Sequence, residues 1–187
     1  MTPQQADQPK LMELMLYVAA RMERDQHVGR GRIKLAKLLW RSDFAAFWKL
    51  GAPITESGYH ADRLGPVPRG ELLASRDLEA GGRLEWINEW DRQQIPVARD
   101  EPDLSLFTAE QIALVDDQLD RYRLVSGAVM VAEAHEFPGW VYAWNGGRGD
   151  RAPIPFESVF WDDRSTLENW EEQHAAALAQ DLGLTSR

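Results

Sequence analysis

Residues 34–70 read KLAKLLWRSDFAAFWKLGAPITESGYHADRLGPVPRG, which places a long helix, its stop signal and a pair of stiff prolines in one run. From Ile33 to Leu50 the apolar residues recur at helical spacing. Leu35, Leu38 and Leu39 form the expected buried stripe, extended by Phe44, Phe47 and Trp48. Lys34, Lys37 and Arg41 are expected mostly on the opposite face. Gly51 is a natural C-terminal cap and Pro53 a stop. The stretch Ile54 to His60 is β-compatible and predicts a short strand. Leu64 to Pro68 predicts a loop, because Pro66 and Pro68 fix φ on either side of Val67 and remove two backbone donors. Pro68 then opens a third helix, to about Leu78.

Upstream, Pro9 opens a first helix to about Asp25, with Leu11, Leu14, Met15, Val18 and Met22 on one face. Gly29 and Gly31 end it. Downstream, Gly81-Gly82 ends the third helix. Leu84, Trp86 and Ile95 to Ala98 suggest a hairpin turning at Asn88 to Arg92, and Arg99 to Asp103 is an acidic loop. Thr108 with Gln111 makes a capping box for a helix carrying Ile112, Val115, Leu119 and Tyr122. A further helix starts at Ser126, with Val129, Met130 and Ala134 as core, and stops at Pro138-Gly139. Trp140 to Trp144 reads as a strand, Asn145 to Asp150 as a turn, and Pro153 to Pro155 as a stiff extended piece. Leu167 to Leu182 reads as an acidic helix ending at Gly183. The sum is α+β: a predominantly helical single domain with a small antiparallel sheet and no βαβ alternation. Its expected organisation is a disordered N-terminal tail over 1–9, the domain over 10–162 and an acidic C-terminal helix over 163–187.

The 187 residues are 44% hydrophobic, enough for a core without a metal or disulfide staple. There is no cysteine, which excludes disulfides, thiolate metal sites and cysteine nucleophiles and fits a reducing cytoplasm. The apolar run Leu11 to Ala20 is interrupted by Glu13 and falls short of the ~20 residues a membrane span needs. Met1 to Gln8 lacks the basic region of a signal peptide. The net charge of −9 argues against bulk nucleic-acid binding. That charge is uneven. Residues 21–41 hold seven basic and two acidic side chains, while 77–120 hold three basic and twelve acidic. Such asymmetry either steers a charged partner or marks solvated faces. Eight tryptophans supply core, and one or two are expected at a binding surface.

The motifs of catalysis are missing. The glycines of Val28 to Arg32 and of Asn145 to Asp150 have no Gly-Lys-Ser/Thr ending, no dinucleotide fingerprint is present, and no Gly-x-Ser-x-Gly elbow occurs. No two of His27, His60, His135 and His174 lie three to five residues apart, so the sequence implies no metal and no cofactor. His135 is expected to make a structural hydrogen bond at a helix end. Adjacent carboxylates at Asp116-Asp117, Asp162-Asp163 and Glu171-Glu172 do not face one another on a helix. Asp43 stands apart: within an apolar helix an unpaired buried charge is costly, so a hydrogen-bonded structural role is expected, toward loop backbone near Tyr59 to Gly65. An enzyme with a dispersed site using His60, Asp62 and His135 is the alternative, and a DNA-binding autoregulator using residues 21–41 the third.

Taken in order, the helix KLAKLLWRSDF, the turn GAPI, then Tyr59, then Leu64-Gly65-Pro66-Val67-Pro68 resemble the Panacea domain of the SocA-like antitoxins. His135 ahead of Pro138 and Trp140 is similar to that family's C-terminal Ser/His-x-x-x-Trp segment, and Ile154 to Val159 to its closing Ile-x-x-Glu element. The likeness is sharp over about 40 residues and loose over 10–160. Trp40 stands where tyrosine is commoner, and Trp86 to Leu106 and the acidic tail match no family feature. The resemblance implies an antitoxin of a bacterial or phage pair, with a protein toxin as partner, and in the SocA-like branch delivery of that toxin to an ATP-dependent protease. It implies no catalytic residues. Lys34, Lys37, Trp40, Asp43, Phe44, Tyr59, Leu64, Gly65, Pro66, Pro68, His135 and Trp140 then become scaffold or partner-binding positions.

Overall fold

The computed structural model describes residues 8–88 and 94–161. The N-terminal tail expected over 1–9 lies outside this range except for Gln8 and Pro9. The hairpin turn at Asn88 to Arg92 lies outside it except for Asn88, and so does the whole of the acidic helix from Leu167 to Leu182.

The core is built around helix α2 (Arg32–Leu50), with α1 (Pro9–Arg24), α3 (Glu71–Ala80), α4 (Ala109–Tyr122) and α5 (Gly127–Glu136) arranged about it. Leu11, Leu14, Met15, Val18 and Met22 are buried against Leu35, Leu38 and Leu39. Leu78, Leu84, Val115, Leu119, Tyr122 and Met130 close the same cluster. Proline in the first turn starts α1, and Gly51 ends α2 in the left-handed conformation, φ 79°. Thr108 and Gln111 form the complete capping box of α4, each side chain satisfying a backbone N–H of the other residue.

Two small antiparallel sheets complete the α+β fold. Strands β1 (Tyr59–Asp62) and β2 (Gly65–Pro68) pair so that Tyr59 faces Pro68 and Ala61 faces Pro66. The other pair, β3 (Leu84–Asn88) with β4 (Gln94–Ala98), is the expected hairpin.

Leu64 to Pro68 is not a loop, since Gly65–Pro68 is an edge strand. The Arg69 N–H donates to the Gly58 carbonyl at 2.8 Å. The alternation of an antiparallel ladder then turns positions 66 and 68 away from β1, where a missing N–H costs nothing. Ile54 to His60 is strand only from Tyr59; Ile54 and Thr55 are held as irregular chain by a side chain of α2. The third helix starts at Glu71, not Pro68, because Gly70 intervenes at φ 86°. Trp140 to Trp144 is not a strand: Pro138 sits in the first turn of a sixth helix, α6 (Pro138–Trp144), so it ends one helix and starts the next. Val129 is half exposed, one turn into α5. The extended piece near Pro153 is strand β5 (Pro153–Ile154), which pairs with Tyr59 and His60.

Candidate functional site

Helix α2 carries three buried polar side chains, and each fastens a different part of the chain to it. Lys34, expected on a solvated face, is fully buried. Its ammonium donates to the carbonyls of Val28 at 2.8 Å, Arg123 at 3.3 Å and Val125 at 2.7 Å. It thereby ties the α1–α2 loop to the α4–α5 loop. Lys37, also buried, donates to the Pro66 carbonyl at 2.9 Å and anchors β2. Burial pulls both ammonium groups down to about 8. Both therefore remain largely protonated at neutral pH, where the carbonyl dipoles meet the charge. The expected split into an apolar and a basic face fails for a simple reason: a lysine whose head finds carbonyls indoors need not face water.

Asp43 is the third fastening. Its Oδ1 accepts from the Ile54 N–H at 2.7 Å and the Thr55 N–H at 2.9 Å. Its Oδ2 accepts from Thr55 Oγ1 at 2.5 Å and the Tyr59 hydroxyl at 2.8 Å. Burial pushes the carboxyl up to about 6 against the pull of these four donors, and drives the Tyr59 hydroxyl upward as well. The backbone it holds is Ile54-Thr55, just before the expected segment, with Tyr59 contributing its side chain.

The remaining motif residues pack around these fastenings. Trp40, Phe44 and Tyr59 join Trp140 and Ile154 in a second buried cluster, with Phe137 and Phe156 against it. Phe44 meets the Tyr59 ring edge-on at 5.4 Å. Leu64 is half-buried, and its N–H donates to Asp62 Oδ1. Gly65 and the buried Pro66 and Pro68 form the edge strand. His135 faces the Arg63 carbonyl at 3.0 Å and stacks on Trp140 at 4.3 Å, while Trp140 Nε1 donates to the Asp62 carbonyl at 2.9 Å. The helix-end role expected of His135 is therefore a clamp on the β1–β2 turn.

The seven basic residues of 21–41 are also engaged. Arg21 pairs with Asp25 and Asp116, Arg24 with Asp25, Arg30 with Glu23, Arg32 with Glu71 and Arg41 with Glu133. Lys34 and Lys37 are bound to carbonyls, so all seven basic side chains have partners within the fold.

One fastening was not anticipated from the sequence. Glu13, on the buried side of α1, accepts from Arg83 at 2.6 and 3.0 Å and from the Asp103 N–H at 2.8 Å. Its interruption of an apolar run was the available signal.

His60 is buried in β1, where burial lowers its pKa. Asp62 and His135 are engaged with the β1–β2 turn. Neither of two surface clefts is lined by any of the three. The larger, about 230 Å³, is bounded by Trp40, Phe44, Trp48, Lys49, Arg121 and Phe137 among others; the smaller, about 190 Å³, lies between Arg30 and the β3–β4 hairpin. Among the described residues no three His, Asp or Glu side chains converge on a metal position. No described helix is long and apolar enough to cross a membrane.

With the polar motif residues engaged internally, the apolar surface is what stands free. Val28, Ile33, Leu124 and Val129 are exposed around the two loops that Lys34 joins, Leu124 at 68%. Gly29 and Gly127 bring those loops together. Trp48, 57% exposed and so not part of the buried stripe, stands at the rim of the larger cleft.

His27, beside the Lys34 clamp, is buried with neither ring nitrogen hydrogen-bonded among the described residues. Burial, helped by the Lys34 charge, lowers it to about 4. The unfolded chain, near 6.5, therefore binds the proton first. Stability contributed by neutral His27 is present above pH 6.5 and is lost as the pH falls toward 4. Replacing His27 with leucine should flatten the fall in urea-unfolding free energy between pH 6.5 and 4 by about 2–3 kcal/mol. An unchanged slope would contradict it.

The chain is thus organised around a motif helix with three internal polar fastenings. It belongs to the SocA-like antitoxins with the Panacea domain, whose family model matches residues 35–141, more than half of its length. No curated protein and no solved structure matches it.

Proposed function

We propose that this chain neutralises a protein toxin by direct contact, without catalysis, and that the contact is made by the apolar patch of Val28, Ile33, Leu124 and Val129. Family membership supplies the antitoxin role. The observation that carries the mode of action is the Lys34 clamp, which holds two loops and leaves four aliphatic side chains facing outward. A surface fixed before binding lowers the ordering cost of association. The basic helix face that could have met an acidic partner, or DNA, is engaged in internal pairs, so apolar contact is the better-supported mode.

The test is co-expression with the protein encoded by the neighbouring reading frame. Growth should be rescued and the two should co-purify. Leu124→Asp should abolish both while changing stability by no more than about 0.5 kcal/mol, as an exposed site predicts. Rescue by Leu124→Asp would move the contact elsewhere; a harmless neighbour that does not co-purify would remove the reading. Toxin abundance separates the two modes of neutralisation: unchanged levels indicate occlusion, and levels that fall only in the presence of an ATP-dependent protease indicate delivery.

A further inference from the structure

The larger cleft is lined by none of the four patch residues assigned to the toxin and has a different chemistry. Its apolar part is Trp40, Phe44, Phe137 and Val159, with the exposed Trp48 at its rim. Four charged residues line it. Arg41 is bound to Glu133, and Asp117 accepts from Gln118. Lys49 and Arg121 have no ion-pair partner among the described residues. Trp40 and Phe44 are buried beneath it, so the cleft offers Trp48 and part of Phe137 as aromatic surface, with two cations against one carboxylate.

The chain itself supplies a matching sequence. The short helical turn Phe156–Phe160 contributes Val159 to the cleft, and the path from Trp161 continues directly into residues 162–187. That segment holds six acidic and two basic residues. Leu167, Trp170, Ala177 and Leu178 recur in it at helical spacing, with Glu168, Glu171 and Glu172 interspersed. Its 26 residues would extend about 39 Å even as one continuous helix, ample to reach back across the cleft from its own rim.

We propose that the cleft is the docking site of the chain's own acidic segment 162–187, with Trp170 against the aromatic wall and its glutamates toward Lys49 and Arg121. Complementary charge selects this segment, and the tether keeps its effective concentration high whatever the concentration of other partners. The proposal stands apart from the toxin reading, since it concerns other residues and another occupant.

The full chain lacks cysteine, so Ala113→Cys and Ala179→Cys place two unique spin labels, one on α4 and one in the segment. Pulsed electron resonance should return a narrow distance distribution that persists when labelled protein is diluted with unlabelled. Lys49→Glu with Arg121→Glu, or Trp48→Ala, should broaden it and shift it to longer distances, with melting curves confirming that each variant is folded. A broad distribution in the parent, or a narrow one indifferent to these substitutions, would overturn the proposal. A signal lost on dilution would assign the cleft to a second copy instead. Growth rescue is read separately, so either proposal can fail while the other stands.

Discussion

Replacing Asp43 with alanine is expected to cost the fold about 2–5 kcal/mol and to lower the melting temperature by about 4–20 °C. The reason lies in what the carboxylate leaves behind. Two backbone N–H groups, at Ile54 and Thr55, and two hydroxyls, on Thr55 and Tyr59, all donate to it in a fully buried site. Each buried donor left without an acceptor costs about 1–3 kcal/mol. The hydroxyls can rotate to other acceptors, whereas the N–H groups cannot. The substitution Asp43→Asn retains one oxygen for the two N–H groups and turns an amide toward the hydroxyls, which can accept. This variant should therefore lose about half as much as Asp43→Ala. The raised carboxyl pKa points the same way, since burial already disfavours the charge. Urea unfolding of the three proteins checks the order. A loss under about 1 kcal/mol for Asp43→Ala would show that the 54–59 segment is held by other contacts.

Asp43 also marks the boundary of what could be read in advance. An acid inside an apolar helix has few stable options, so the sequence pointed to a hydrogen-bonded role, and only the segment it holds had to be seen. The helices were legible for a similar reason: spacing, Pro9, Gly51 and the Thr108–Gln111 box are local signals that tertiary structure did not override. Lys34 and Lys37 failed because a lysine's placement depends on where distant carbonyls lie. Val28, Arg123 and Val125 come from two separate loops, and no local pattern brings them to one ammonium. The Pro66–Pro68 segment was legible as extended but not as strand. Proline removes donors at alternate positions only, and whether those positions face a neighbour depends on which edge of the sheet they occupy. The antitoxin family was legible in the motif of residues 34–70, and the family model covers most of that stretch. Yet most motif residues face inward, and the exposed aliphatic patch carries no motif of its own.

Gly65 shows how closely the family motif is built into the fold, and its substitution is the second large effect expected. Its φ of +105° is unfavourable for any residue with a side chain. A Cβ added there would lie 2.7 Å from the Ala134 Cβ on α5 and 2.9 Å from the Lys37 Cε on α2. Relief would require moving α5 away or pushing the Lys37 ammonium off the Pro66 carbonyl, which would leave a buried cation unpaired. Backbone strain of about 1–3 kcal/mol adds to a further ~1–3 kcal/mol of overpacking. Gly65→Ala should thus be destabilised by about 2–6 kcal/mol. Gly51→Ala is the natural control: φ is also positive, at 79°, but nothing lies within 4 Å of the added carbon, so only strain of about 1–2 kcal/mol remains. The difference between the two variants in chemical denaturation isolates the contact of β2 with α2 and α5. If the two lose equal stability, the glycine serves backbone conformation alone. If Gly65→Ala loses more, close approach of the strand to Lys37 and Ala134 explains why glycine stands at the start of Gly-Pro-Val-Pro. Under the proposed toxin contact, the same result would place the motif's contribution in the scaffold, because growth rescue by Gly65→Ala should then fall with the amount of folded protein. Leu124→Asp, by contrast, should lose rescue while fully folded.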